Sequence, residues 1–242
     1  MSFYLEIKAS LLKDVVKAIE NINAESIWVI DNEGIYIRMS DVYRYKMLEI
    51  NINQRDMVEF KFDSKEPYYL GLVIDRLKDV SKTLKSSDLL IMDYKNGNSF
   101  ITAESNGLKR NIKLIDISLI GQPPELLVNH EYQSFIESKK MSSFLKAISK
   151  SISFDVIVSQ QEFIIRSETD EGLAEINWSA EDCNLDTSLS NTITNFSTGE
   201  IAKALVACKG NLIIKGSDNS PISFEWELAP HSRIKSLVAP RV

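Results

Sequence analysis

The stretch Ser10–Ile50, SLLKDVVKAIENINAESIWVIDNEGIYIRMSDVYRYKMLEI, decides the fold. It opens with Leu12, Val15, Val16, Ile19 and Ile22 at helical spacing, then passes into the apolar run Ile27-Trp28-Val29-Ile30. After a turn it returns through Ile35-Tyr36-Ile37-Arg38 and pairs a third run, Met47-Leu48-Glu49-Ile50-Asn51. Apolar residues three and four apart make one face of a helix, and short runs rich in β-branched residues make strands. The chain then repeats itself. Ser143–Asn177 again gives a helix, the run Val156-Ile157-Val158, a turn, Phe163-Ile164-Ile165-Arg166, and Leu173-Ala174-Glu175-Ile176-Asn177. A further helix-then-strand unit follows each copy, Asp75–Tyr94 in the first half and Gly199–Gly216 in the second. Two similar halves predict two domains of α+β type, each with two helices packed on antiparallel sheet, and such symmetric structures often close on themselves.

With 242 residues, either half is long enough for its own core, and 44% hydrophobic against 26% charged residues describes an ordinary globular chain. No apolar stretch reaches the length needed to span a bilayer, and the start, Met1-Ser2-Phe3-Tyr4-Leu5-Glu6-Ile7-Lys8, alternates like a strand rather than reading as a signal peptide. An intracellular location is expected: cytoplasm or nucleoid, or nucleus if the source is eukaryotic. Cys183 and Cys208 lack any metal-ligand spacing and are expected as thiols, with Cys208 packed on a helix.

A net charge of −6 argues superficially against nucleic acid, but net charge hides distribution. In the first helix Lys13, Lys17 and Glu20 lie opposite the apolar face. In the second, roughly Asp75–Leu84, Leu77, Val80 and Leu84 face inward, leaving Lys78, Lys82 and Lys85 outside. In the third, Met141, Phe144, Leu145, Ile148 and Ile152 form the buried face and Lys139, Lys146 and Lys150 the other. The fourth, roughly Thr198–Cys208, buries Ile201, Leu205 and Cys208 and shows Lys203, with Lys209 at its end. Any one such face is ordinary solvation. Four in equivalent places on an acidic chain predict a basic surface made by helices, with acid such as Glu66, Glu125, Glu131, Glu168, Asp170, Glu171, Glu181, Asp182 and Asp186 segregated into loops.

Several motifs are specific enough to carry a resemblance. They are Ser10-Leu11-Leu12-Lys13, Trp28 with Gly34-Ile35, Met39-Ser40-Asp41, Lys113-Leu114-Ile115-Asp116, a Pro-containing linker reaching Glu131-Tyr132, Ser220-Pro221-Ile222, and the terminal Leu237-Val238-Ala239-Pro240-Arg241-Val242. On these the chain resembles DNA sliding clamps of the proliferating cell nuclear antigen family over essentially its full length, and the lack of an acidic tail is similar to archaeal members. The resemblance implies domains at 1–116 and 131–242 joined by a linker at 117–130, with three chains, identical or different, joined head to tail into a ring. The joining strands would be Leu108–Ile115 and Leu173–Ala180, with Lys109, Arg110 and Lys113 on one side and Glu175, Ile176, Trp178 and nearby Glu181 on the other.

A ring holds DNA by topology, so its inner surface needs only attractive contacts that read no bases. The resemblance implies that Lys13, Lys17, Lys78, Lys82, Lys139, Lys146, Lys150 and Lys203 supply them. Asp14 and Glu20 stand where relatives often carry lysine. It further implies a hydrophobic site for short motifs with aromatic anchors, through which polymerase, clamp loader, flap nuclease and ligase are carried. The residues implied are Ser40, Arg44, Tyr45, Met47, Leu119, Ile120, Pro123, Leu126, Pro221, Leu237, Ala239 and Pro240. Ser40 replaces a larger apolar residue of many relatives. Leu126, Leu127 and Val128 read equally well as binding surface or as buried strand.

An enzyme is disfavoured. Only His130 and His231 are available, neither in an HxH or HExxH setting, and nine glycines form no phosphate-cradling loop. Neither cofactor nor metal is expected. Two neighbouring readings stand beside the replication clamp: a subunit of a heteromeric or checkpoint-type ring, and a clamp-derived transcription or processivity factor.

Overall fold

Helices and strands form where the apolar spacing puts them. The structure, a computed structural model, describes residues 2–123, 125, 128–169 and 172–241. Contacts group these into two units. The first holds residues up to Val42, Met47–Pro123 and Glu227–Ile234. The second holds Tyr43–Lys46, the described residues from 125 to Trp226, and Lys235–Arg241.

In the first unit the elements are β1 (Ser2–Lys8), α1 (Ala9–Ile19), β2 (Glu25–Asp31), β3 (Gly34–Ser40), β4 (Lys46–Asn53), β5 (Glu59–Phe62), β6 (Tyr68–Val73), α2 (Ile74–Lys82), β7 (Leu89–Lys95), β8 (Phe100–Ser105) and β9 (Leu108–Lys113). Strands run in the orders β5-β1-β7-β8-β9 and β4-β3-β2-β6, all antiparallel. The β2–β3 hairpin sets Asp31 opposite Gly34, and the Asp31 carboxylate accepts the Glu33 and Gly34 amides at 2.8 and 3.3 Å. Gly34 has φ +137°, and a Cβ there would lie 2.1 Å from the Ile52 carbonyl oxygen. The glycine of the sequence motif is thus fixed by a close approach of backbone as well as by the turn.

The second unit repeats the plan with β10 (Tyr132–Glu137), α3 (Ser138–Ala147), β11 (Ser153–Ser159), β12 (Glu162–Thr169), β13 (Gly172–Ser179), β14 (Asp186–Thr187), β15 (Asn191–Ser197), α4 (Thr198–Ala204) and β16 (Asn211–Gly216), and it holds β17 (Ile222–Ala229) as far as Trp226 and β18 (Ser232–Val238) from Lys235 onward. Its strands follow β14-β10-β16-β17 and β13-β12-β11-β15. As expected, each copy's third strand pairs its second: β4 with β3, and β13 with β12. Phe154, Phe163, Phe196 and Phe224 lie fully buried in this unit, and Phe3, Leu5, Leu12 and Trp28 in the first.

Three helix expectations need correction. The second helix spans Ile74–Lys82 rather than Asp75–Leu84, and the fourth stops at Ala204. Leu205 and Cys208 belong to the turns beyond it, where the Cys208 amide donates to the Leu205 carbonyl at 2.9 Å. Ile152, assigned to the buried face of the third helix, is 76% exposed. That helix ends at Ala147, and the chain turns away through hydrogen bonds from Ser149 to Lys146 and from Ser151 to Ile148. The helical spacing continues past the point where the helix does.

Burial raises the thiol pKa of both cysteines; Cys183 is fully buried, and half-buried Cys208 is pushed to about 12. Among the described residues no group of three or more His, Cys, Asp or Glu could hold a metal, and no helix is long and apolar enough to cross a membrane.

Candidate nucleic-acid and subunit interfaces

Each amphipathic helix buries one stripe and leaves lysines on the other, but not all of those lysines reach solvent. In the first unit Leu12, Val15, Val16, Leu77 and Val80 are buried, and Lys17 and Lys82 are exposed. Lys13 is half-buried and its Nζ donates to the carbonyl of Leu84, just past α2. Lys78 reaches the Glu20 carboxylate at 2.5 Å, which with the nearby charge raises its pKa. These two lysines tie α1 to α2. A helical wheel shows which side a residue leaves by, not the carbonyls and carboxylates that a neighbouring helix presents.

In the second unit Lys139, Lys146 and Lys150 are exposed on and just after α3. Lys140 is exposed beside Lys139; its signal, a second lysine in the first turn, was visible in the sequence. Exposed Lys203 bonds Glu200 Oε1 at 2.9 Å one turn away on α4. The same carboxylate meets Nζ of buried Lys46. Burial alone would push the Glu200 carboxyl up; hydrogen bonds and charge from Lys46 and Lys203 outweigh it and leave the pKa lowered. The Ser197 side chain caps α4 by accepting the Glu200 amide.

The strands expected at the joints are both sheet edges. β9 has only β8, and β13 only β12, as strand neighbour among the described residues. Lys109, Arg110 and Lys113 are exposed on β9, Glu175 is exposed on β13, Ile176 is half-buried, and Glu181 is exposed beyond it. Trp178 differs: its side chain is buried in its own unit, with its ring 5.8 Å from that of Phe163. It sits on an edge strand but turns its ring into the core.

The residues expected to take a partner motif are spread over different environments. Tyr45 is exposed, with its ring 6.3 Å from that of exposed Tyr43, which the sequence reading passed over although two tyrosines flank an arginine in a turn. Arg44, between them, is exposed with φ +59°. The Ala239 amide donates to the Tyr45 carbonyl at 2.9 Å and the Arg241 amide to that of Asn195 at 2.8 Å, so the terminal segment is held by backbone. Ala239, Pro240 and Pro221 are half-buried; Leu237 is buried in its own core. Of the linker, Leu119 is exposed and Ile120 and Pro123 half-buried, while Leu126 and Leu127 lie outside the described residues, as do Asp170 and Glu171 among the loop acids. Ser40 is half-buried and Met47 buried.

The linker starts from a fixed point. The Ile115 amide donates to the Gly71 carbonyl at 3.0 Å, and a Cβ on Gly71 would lie 2.4 Å from the Ile115 carbonyl oxygen. Asp116 then accepts the Ser118 amide at 2.9 Å, which lowers its carboxyl pKa and shapes the turn at Ile117–Leu119.

Two repeated units, each with two helices that show lysines, interleaved with acids such as Asp14, Asp75, Asp79 and Glu200 rather than segregated from them, and with an open edge strand in each unit, define the class: a clamp-type subunit. Comparison with known proteins gives the same class. Residues 4–120 match the family described as proliferating cell nuclear antigen, N-terminal domain. The DNA polymerase sliding clamps of Thermoplasma acidophilum and Thermoplasma volcanium are each 27% identical, covering 98% of this chain and of theirs. Among solved structures, A. fulgidus PCNA bound to the C-terminal region of FEN-1 superposes with a TM-score of 0.92 at 19% identity, over 99% of this chain and 98% of that one. PCNA from Entamoeba histolytica gives 0.87 at 17%, over 99% of both. The chain belongs to the proliferating cell nuclear antigen family of DNA polymerase sliding clamps, which are processivity factors and not enzymes.

Proposed function

We propose that this chain is one subunit of a three-subunit ring that encircles duplex DNA and tethers polymerase to it. The observation that carries the reading is the pair of open edge strands, β9 with Lys109, Arg110 and Lys113 and β13 with Glu175, one in each unit. Unpaired edges invite another chain, and two unlike edges on one chain make a heterologous contact that can close into a ring. Lys17, Lys82, Lys139, Lys140, Lys146, Lys150 and Lys203 then supply phosphate contacts without base reading; Lys13 and Lys78 chiefly hold α1 against α2.

Partner proteins would dock through a short motif with aromatic anchors on the exposed Tyr43–Tyr45 turn and the half-buried Ala239, Pro240 and Pro221. The A. fulgidus relative was solved with such a partner segment, the C-terminal region of FEN-1. Exposed Leu119 on the linker adds apolar surface of the same kind. Polymerase, clamp loader, flap nuclease and ligase are the partner classes expected inside the cell.

The test is topological. Loaded onto nicked circular DNA by its clamp loader, the ring should stay through gel filtration in high salt and leave when the circle is linearised. Equal loss from circle and linear DNA would refute encirclement.

A further inference from the structure

We infer that Glu200 positions the exposed tyrosine turn through buried Lys46 and ties it to Lys203 on α4, so that phosphate contact at Lys203 strengthens the hold on partner motifs. The inference rests on the DNA and docking readings above and adds to them the residues that set the docking surface and a regulation of it.

The turn carries its apolar surface outward. Val42 and Tyr43 are each 79% exposed, Tyr45 is exposed beside them, and the two tyrosine rings lie 6.3 Å apart. Side chains this exposed do not hold a backbone in place. Arg44, between the tyrosines, has φ +59°, a conformation that a non-glycine residue keeps only where its surroundings impose it. Two contacts follow directly along the chain. The Tyr45 carbonyl accepts the Ala239 amide at 2.9 Å. Lys46 then turns inward: it is 4% exposed, and its Nζ meets the Glu200 carboxylate. By its contacts Tyr43–Lys46 belongs to the second unit, as do Ala239 and Glu200.

A buried lysine cannot trade its partner for water. Taking the charge from one side of a buried pair leaves the other uncompensated, so the pair holds both residues in place. Glu200 is itself fixed, because the Ser197 side chain accepts its amide at 3.5 Å at the start of α4. Its carboxylate, however, is shared. Oε2 meets Lys46, and Oε1 bonds Lys203 at 2.9 Å within α4. The two lysines differ in what else they can reach. Lys203 is exposed and open to phosphate, whereas Lys46 is enclosed.

Competition for one carboxylate couples the two places. With Lys203 on Glu200, two like charges crowd the same group, and each weakens the other's attraction to it. When a DNA phosphate draws Lys203 away, Glu200 is left to Lys46 alone. Away from water such a change is felt more strongly than between exposed charges. The turn is then held more firmly and loses less freedom when a partner motif seats on its tyrosines. The two states are a shared and a committed Glu200, and both ligands favour the committed one. Linkage makes the effect reciprocal: a bound partner must strengthen the hold on DNA by the same factor.

The test is the affinity of a fluorescent peptide carrying the C-terminal region of a FEN-1 nuclease for the full-length protein, free in solution and loaded on nicked circular DNA. Wild type should bind the peptide about threefold more tightly on DNA. Lys203→Ala should bind it about threefold more tightly than wild type when free, and should lose the response to DNA. Glu200→Gln should bind it roughly tenfold more weakly in both states. A purely structural role would give losses in both variants, whereas here the removal of Lys203 gives a gain. Amide exchange at Tyr45 and Lys46 should slow in Lys203→Ala and quicken in Glu200→Gln. Equal peptide affinity of Lys203→Ala and wild type, free and on DNA, overturns the inference whatever Glu200→Gln does to stability. The docking reading fails separately: it falls, and takes the inference with it, if Tyr43→Ala and Tyr45→Ala bind the peptide as wild type does. It stands alone if those two variants lose the peptide while Lys203→Ala changes nothing.

Discussion

Replacing Gly71 with alanine tests whether a single backbone approach anchors the linker. The added Cβ would sit 2.4 Å from the Ile115 carbonyl oxygen and 3.2 Å from its carbonyl carbon, both backbone atoms, where ordinary contact needs about 3.5 Å. The two backbones must part by about 1 Å, and the hydrogen bond from the Ile115 amide to Gly71 at 3.0 Å would go with them. Its net worth is about 1 kcal/mol. Forcing a methyl into packed surroundings costs about 1–3 kcal/mol more. The sum, about 2–4 kcal/mol, corresponds to a fall in melting temperature of roughly 5–12 °C for a chain of this size. Calorimetry gives the stability, and amide exchange at Ile115 gives the mechanism: protection there should drop while the amides of α1 keep theirs. Gly121, in the same linker with nothing within 4 Å of a built Cβ, is the control, and its alanine variant should lie within about 0.5 kcal/mol of wild type. A Gly71→Ala protein as stable as the Gly121→Ala one, with the Ile115 amide still protected, would refute the reasoning.

The lysines should separate into two kinds. Lys13→Ala should lower thermal stability by about 1 kcal/mol through loss of the bond to the Leu84 carbonyl, with little change in the salt dependence of DNA binding. Lys17→Ala should leave stability alone and reduce the slope of log affinity against log salt by about 0.9; the reverse pattern would show that the helix faces are misassigned. Glu200 has a carboxyl pKa held below its ordinary value, so its contribution is full above about pH 4.3 and is lost as the pH falls through the folded-state value. Glu200→Gln should therefore cost about 1 kcal/mol at pH 7 and progressively less toward pH 3; a loss unchanged across that range would contradict it. Burial first, then the charges of Lys235 and Lys215, lower the His130 pKa against an opposing pull from Glu225. Its NMR titration midpoint should fall below about 6.5, and its share of stability should drop as pH falls below that value because the unfolded chain takes the proton first. A midpoint at or above 6.5 would remove the argument.

What the sequence carried plainly were elements whose cause is local. Leu12, Val15, Val16 and Ile19 mark α1 because one stripe must be buried, and the doubling of that pattern in Phe144, Leu145 and Ile148 reveals the repeat. The two joining strands came from the resemblance rather than from composition, and both lie at sheet edges among the described residues. Misread positions depend on distant backbone. Lys13 and Lys78 leave their helices on the polar side and then bend to groups just past the end of the neighbouring helix. Ile152 keeps helical spacing after the helix has stopped, and Trp178 points into the core from an edge strand. The anchoring of the linker had a signal in Gly71, a glycine inside a strand, which often marks a close backbone approach. Which backbone approaches is not written locally.

The state of the two native thiols has a practical consequence for labelling. At pH 7.5 an ordinary surface cysteine is about one-tenth thiolate, whereas a thiol near pKa 12 is ionised about three orders of magnitude less. Cys183 adds complete burial to the same handicap. A maleimide dye or spin label offered to a chain carrying one new surface cysteine should therefore modify that position and spare both native ones. Distances between subunits, and the opening of a ring at one joint, can then be followed by spectroscopy in a chain that keeps all its own cysteines.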